Sequence, residues 1–219
     1  MLFENRGLSL YYEIIGDGAR DIIFLHGNGE DSSIFKRIAE QLAKLCFKVY
    51  LLDSRGHGKS ERVQKLSYYD MACDLLEFIK YLKIQKPLVY GFSDGGIVAL
   101  LAVIINETFI NKILVSGINL NPNGLKLRVR IPMWCKYIFT KNDMLKLMLT
   151  QPNIGINDLK KIKAQVVVFL AQHDMVRRGH SNAIVKNVQN SKIVIVNNEK
   201  HHTYVLDNDK LLAVIKDYL

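Results

Sequence analysis

"GFSDGG", residues 91–96, sits between the apolar runs "KPLVY" and "IVALLAVII". A serine held among glycines at such a junction reads in two ways. It is an ordinary tight turn from strand to helix, or it is a nucleophile presented on a strained one. The rest of the chain decides, because a serine hydroxyl attacks only when a base takes its proton and an acid orients that base.

On both sides of the turn the chain alternates between two patterns. "LSLYYEII" (8–15), "DIIFLHG" (21–27), "FKVYLLD" (47–53), "KPLVYGFS" (86–93), "NKILVSG" (111–117), "AQVVVFLAQHD" (164–174) and "SKIVIVNN" (191–198) read as strands. Most are continuous apolar runs, as in strands covered on both faces. The first alternates, and predicts an antiparallel edge hairpin with the N-terminal residues. Between these runs, "SSIFKRIAEQLAKL" opens at a serine suited to capping, and "YYDMACDLLEFIKYL" carries apolar residues at helical spacing. Further helices are expected after Ser93, after Arg178 and at "DKLLAVIKDYL". The class is α/β with a mostly parallel sheet. From Ile118 to Leu159 the strands stop. "KLRVRIPMWCKYIF" and "NDMLKLMLT" predict a small helical cap, residues 118–159, over the carboxyl ends of the strands, where open α/β sheets bind ligands.

With 219 residues and 49% hydrophobic composition, one domain over 1–219 with a proper core is expected. Cys46, Cys73 and Cys135 show no paired spacing, which argues against a disulfide framework or a structural zinc site. "MLFENRGLSL" has no apolar signal region, and the run Ile97–Ile105 is too short to span a bilayer, so a cytoplasmic protein is expected. The net charge of +9 is unevenly placed. Between Gly124 and Thr150, Lys126, Arg128, Arg130, Lys136, Lys141 and Lys146 stand against Asp143 alone. Such a cluster suits acidic substrates or an anionic membrane surface, and it is also what a lysine-rich composition produces. No nucleic-acid partner is expected.

Gly91-Phe92-Ser93-Asp94-Gly95 matches G-x-S-x-G after a strand and before a helix, the context that makes the motif informative. Gly91 and Gly95 let strand and helix backbones approach, and the new helix points its N–H groups at charge developing near the serine. An acid and a histidine are then needed beyond the serine. Asp174 closes "VVVFLAQHD", and His201 and His202 follow "KIVIVNN"; both places lie at carboxyl ends of predicted strands. "FLHGNG" (24–29) supplies a glycine-containing turn after an earlier strand. The N–H groups of Asn28 and Asp94 are assigned to an oxyanion hole, with His26 and Gly27 shaping that loop. His57 precedes the serine and reads as turn packing, and His173 as a loop residue.

"FLHGNG", "LLDSRGHGKS" (51–60), "GFSDGG", "VVVFLAQHDMV" (166–176) and "HHTYVLDND" (201–209) together resemble the α/β-hydrolase family over nearly the whole chain. The resemblance implies about eight strands, a Ser93, Asp174, His202 triad, and no metal or organic cofactor. His202 is favoured over His201 by alignment to the family's G-H-S-x-x-x-x-x-P, with Asp209 in the place of proline. The elbow is similar to that of the biphenyl hydrolase-like branch, which includes hydrolases of amino-acid esters. Asp94 would therefore either favour the helix N-terminus or hold a cationic substrate group. Trp134, Tyr137, Phe139, Met133, Met144 and Met148 would pack the cap onto the body or line an acyl or alcohol pocket. The activity implied is that of a serine esterase acting on a small ester or acyl substrate. C–C hydrolase, thioesterase or perhydrolase chemistry on the same triad is the alternative, and a non-catalytic binding protein is the rival outside enzymes.

Overall fold

The computed structural model describes residues 1–219. The strands are β1 (Leu2–Asn5), β2 (Leu8–Ile15), β3 (Arg20–Leu25), β4 (Phe47–Leu52), β5 (Leu88–Phe92), β6 (Lys112–Ser116), β7 (Gln165–His173) and β8 (Ser191–Lys200). The helices are α1 (Lys36–Ala43), α2 (Tyr68–Tyr81), α3 (Asp94–Ile105), α4 (Leu127–Thr140), α5 (Asp143–Thr150), α6 (Ile156–Leu159), α7 (Arg178–Asn187), α8 (Thr203–Leu206) and α9 (Asn208–Ile215). One sheet holds all eight strands in the order β1-β2-β4-β3-β5-β6-β7-β8. β1 and β2 form the expected antiparallel hairpin, turning through Arg6 and Gly7 at positive φ, and β2 runs antiparallel to β4. The remaining pairs are parallel.

Two cores explain the continuous apolar strands. On one face α2, α3 and α7 cover Ile23, Leu25, Val89, Val115 and Val168; on the other, α1 and α9 cover Ile22, Phe24, Tyr90, Leu114 and Phe169. α3 is apolar all round because the sheet takes one side and α2 the other, so it shows none of the one-sided patterning of a surface helix. α1 starts later than its sequence pattern suggests. A short 3₁₀ turn over Ser32–Phe35 precedes it, and Asp31 rather than a serine caps that turn, accepting from the Ser33 N–H at 2.9 Å. No helix is long and apolar enough to cross a membrane.

The loop after β4 is braced from inside. Asp53 accepts from the N–H groups of Ser32 and Lys59, both at 2.8 Å, while the Ser60 hydroxyl donates to its carbonyl at 2.7 Å. Arg55 meets the buried Asp74 of α2 as a fork, Nε to Oδ2 at 2.6 Å and Nη2 to Oδ1 at 2.7 Å. Asn5 Nδ2 adds a third bond to Asp74 at 2.7 Å. Removing one partner of such a pair strands the other away from water. Asp74→Ala is expected to lower the unfolding free energy by about 3 kcal/mol, measured by urea denaturation.

Candidate active site

The chain leaves β3 toward β4 on one side and enters β5 on the other, so the ends of β3 and β5 form the crevice where doubly wound sheets bind ligands. The turn His26-Gly27-Asn28 follows β3, and Ser93 follows β5. Ser93 has φ 52° and ψ −114°, a strained conformation for a residue with a side chain, and its N–H is held by the Ser116 carbonyl at 2.8 Å. Glycines permit the turn. A Cβ on Gly91 would lie 2.4 Å from the Gly95 carbonyl oxygen, and one on Gly95 would lie 2.3 Å from that of Leu25.

The histidine is settled by strand register. β7 and β8 stay paired through a bulge to His173 opposite Lys200, so Asp174 and His201 leave the sheet side by side. His201 Nδ1–H donates to Asp174 Oδ1 at 2.7 Å, and its Nε2 stands 3.2 Å from Ser93 Oγ. The Val176 N–H holds the same carboxylate oxygen at 2.9 Å, and the Phe92 ring packs against the imidazole. Gly117, at φ +65°, gives the ring its space: a Cβ there would meet His201 Cε1 at 2.5 Å. The assignment of His202 to this position is therefore corrected. His202 precedes α8 as its N-cap, is exposed, and reaches only the pocket wall. Counted from His201, the family pattern places Lys200 where glycine is usual and Asn208 where proline is usual.

The two assigned amides are tied together. Asn28 Nδ2 donates to Asp94 Oδ2 at 2.8 Å and lies 3.3 Å from the Met144 carbonyl on α5. Asp94 is buried, with the buried Tyr68 hydroxyl beside it, and burial pushes its carboxyl above the usual carboxylate range. It does not line the pocket, so the expected substrate-binding alternative for Asp94 is corrected: the carboxylate is a brace between loops. Helix bonding leaves the first N–H groups of α3 unpaired, and the Asn28 N–H has no acceptor within the protein. His26 Nδ1–H donates to the Gly27 carbonyl at 2.8 Å, and its Nε2 accepts from the Ser54 N–H at 3.0 Å.

These groups open on a pocket of about 230 Å³ lined by Gly27, Asn28, Glu30, Phe92, Ser93, Met148, Met175, His201 and His202. Glu30 and Met175 went unnoticed in the sequence, whereas Met148 was among the cap residues read as possible lining. Glu30 accepts from the Gly27 N–H at 3.0 Å, and burial pushes its carboxyl up. Trp134, Tyr137 and Phe139 are absent from the pocket, a second correction to the expected lining. Of the cap residues read as possible lining, only Met148 of α5 reaches the pocket, while Trp134 and Phe139 on α4 are 41% and 86% exposed.

The model of the family described as serine aminopeptidase, S33, matches residues 18–151. The chain belongs to this family of α/β-hydrolases. The hydrolase is 26% identical to the serine hydrolase BPHL of Homo sapiens, over 97% of its own length and 84% of the relative's. It shares its fold with an esterase from Exiguobacterium antarcticum (TM-score 0.84, 19% identity, 97% of this chain and 96% of that one). An enol-lactonase from Burkholderia xenovorans superposes equally well (TM-score 0.84, 16% identity, 99% and 98%).

Burial holds the His26 imidazole down to about 4, from an ordinary value of 6.5. The unfolded chain therefore takes up this proton first as pH falls. The stability contributed is full above about pH 6.5 and is lost toward pH 4, by at most about 3 kcal/mol. Urea denaturation of the hydrolase and of His26→Gln across that window is expected to show the shallower acid loss in the variant.

Proposed function

We propose that this hydrolase cleaves a carboxylic ester, or a closely similar acyl bond, of a small substrate through an acyl-enzyme intermediate. The observation that carries the proposal is the unbroken chain Asp174–His201–Ser93 opening on a pocket beside two assigned amide donors. The similarity to a human serine hydrolase supports it.

In this reaction Ser93 Oγ attacks the acyl carbon while its proton passes to His201 Nε2. Asp174 keeps the other ring proton on Nδ1 and stabilises the imidazolium. The carbonyl oxygen, now negative, accepts from the Asn28 and Asp94 amides. Collapse of the tetrahedral species breaks the bond to the leaving alkoxide, which takes the proton from Nε2. Water then attacks the acyl carbon, giving a proton to Nε2; the bond from that carbon to Ser93 Oγ breaks as Oγ takes the proton from Nε2, and the acid departs. A 230 Å³ pocket is below the usual range for drug-sized ligands, which favours a short acyl group.

Fluorophosphonate labelling with peptide mapping, and turnover of p-nitrophenyl acetate, test the proposal. Labelling confined to Ser93 is expected, with Ser93→Ala and His201→Ala each losing turnover by roughly four orders of magnitude or more. His202→Ala is expected to stay within about tenfold of the parent, since a residue that only walls the pocket contributes about 1 kcal/mol. Equal losses in the two histidine variants would reject the assignment of the base. Because the Asp94 carboxylate braces the amide loop, Asp94→Asn is expected to lower kcat alike for neutral and α-amino esters. A loss confined to the amino esters would restore a substrate-binding role.

A further inference from the structure

α4 presents its apolar residues to solvent. Leu127, Ile131, Trp134 and Ile138 recur at i, i+4, i+7 and i+11, one stripe within about 60° of arc at roughly 100° per residue. They are 49%, 57%, 41% and 56% exposed, and no residue of α4 is buried. α1, by contrast, hides Ile38 and Leu42 completely. A contiguous exposed apolar stripe on one helix marks a contact surface.

The charges around the stripe say what it contacts. No acidic residue occurs between Lys126 and Asn142. None of the six cations from Lys126 to Lys146 makes an ion pair, whereas Lys36, Arg55, Lys80, Lys163 and Lys210 elsewhere all do. Two of the six hold the helix to the body: Lys126 Nζ donates to the Asp174 carbonyl at 2.6 Å, and Arg130 donates to Asn123. Arg128 and Lys141 are exposed and flank the stripe on opposite sides. A central tryptophan among large aliphatic side chains, with cations on either side, matches the boundary between acyl chains and anionic headgroups.

We propose that α4 is an in-plane anchor on an anionic lipid surface, its apolar stripe inserted at the headgroup boundary and Arg128 and Lys141 on the headgroups. α4 begins beside Asp174 and leads into α5, which carries Met148 to the pocket, so the anchor lies next to the site. The proposal needs no particular chemistry at Ser93.

Trp134 is the only tryptophan, so its fluorescence reports on the stripe alone. The full chain is titrated with vesicles of phosphatidylcholine alone and of equimolar phosphatidylcholine and phosphatidylglycerol. With the anionic vesicles only, Trp134 emission should shift to the blue and be quenched by brominated lipid. Arg128→Ala and Lys141→Ala should each weaken partitioning about fivefold. Ile131→Asp combined with Ile138→Asp should abolish it while circular dichroism stays unchanged. The proposal is overturned by an unchanged Trp134 spectrum with anionic vesicles, or by equal binding to phosphatidylcholine alone. A blue shift that follows protein concentration without lipid would assign the stripe to a second copy, and binding to polyglutamate but not to vesicles would assign it to an acidic protein.

Discussion

Helix α3 starts so close to the end of β3 that not even a methyl group fits between Gly95 and the Leu25 carbonyl. That approach brings the strand-end loop of Asn28 against the elbow of Ser93, and the Asn28–Asp94 bond then locks the two loops to each other. Without it the two assigned amides would belong to independently moving segments. Electrostatic stabilisation depends on donors already aimed before charge develops, so this steric limit at one glycine governs the chemistry proposed for the whole pocket.

The second support is a matter of register. The β7–β8 pairing carries Asp174 and His201 past the sheet as neighbours, and Gly117 at the end of β6 leaves the hollow that the imidazole occupies. Three strand ends therefore place the acid, the ring and the ring's space, while β5 places the serine. The loop after β4 contributes from outside: Ser54 fixes the His26 ring, and Arg55 ties the loop to α2.

Much of this was legible in order and spacing. Strand runs bounded by glycine and aspartate put Ser93, Asp174 and a histidine at carboxyl ends, because parallel strands send all those ends to one edge. The choice between His201 and His202 was not legible by alignment. "HHTYVLDND" lacks the glycine and proline that anchor the family pattern, and β8 carries two residues more than β7 across the bulge between Ala171 and His173. Within 118–159 the sequence pattern predicted helices but did not separate their roles. α4 and α5 share similar apolar content, yet α5 buries Leu147 and sends Met148 inward while α4 buries nothing. Periodicity finds an apolar stripe but cannot say which side of it meets the protein. Asp94 was ambiguous for a related reason: its partners, Asn28 and Tyr68, lie far away along the chain and meet it only once the sheet and α2 are in place.

The hydrogen-bonded chain has a consequence for how the protein comes into being. His201 lies 27 residues from Asp174 and 108 from Ser93, and parallel pairings of such separation form slowly because loop closure must precede them. Synthesis delivers the N-terminal segments first. A nascent chain can thus raise the elbow on β5 and α3 while the segment bearing the base proposed for it is still on the ribosome. Such an intermediate holds a serine with no proton acceptor, and it stays chemically silent until β8 docks at the edge of the sheet.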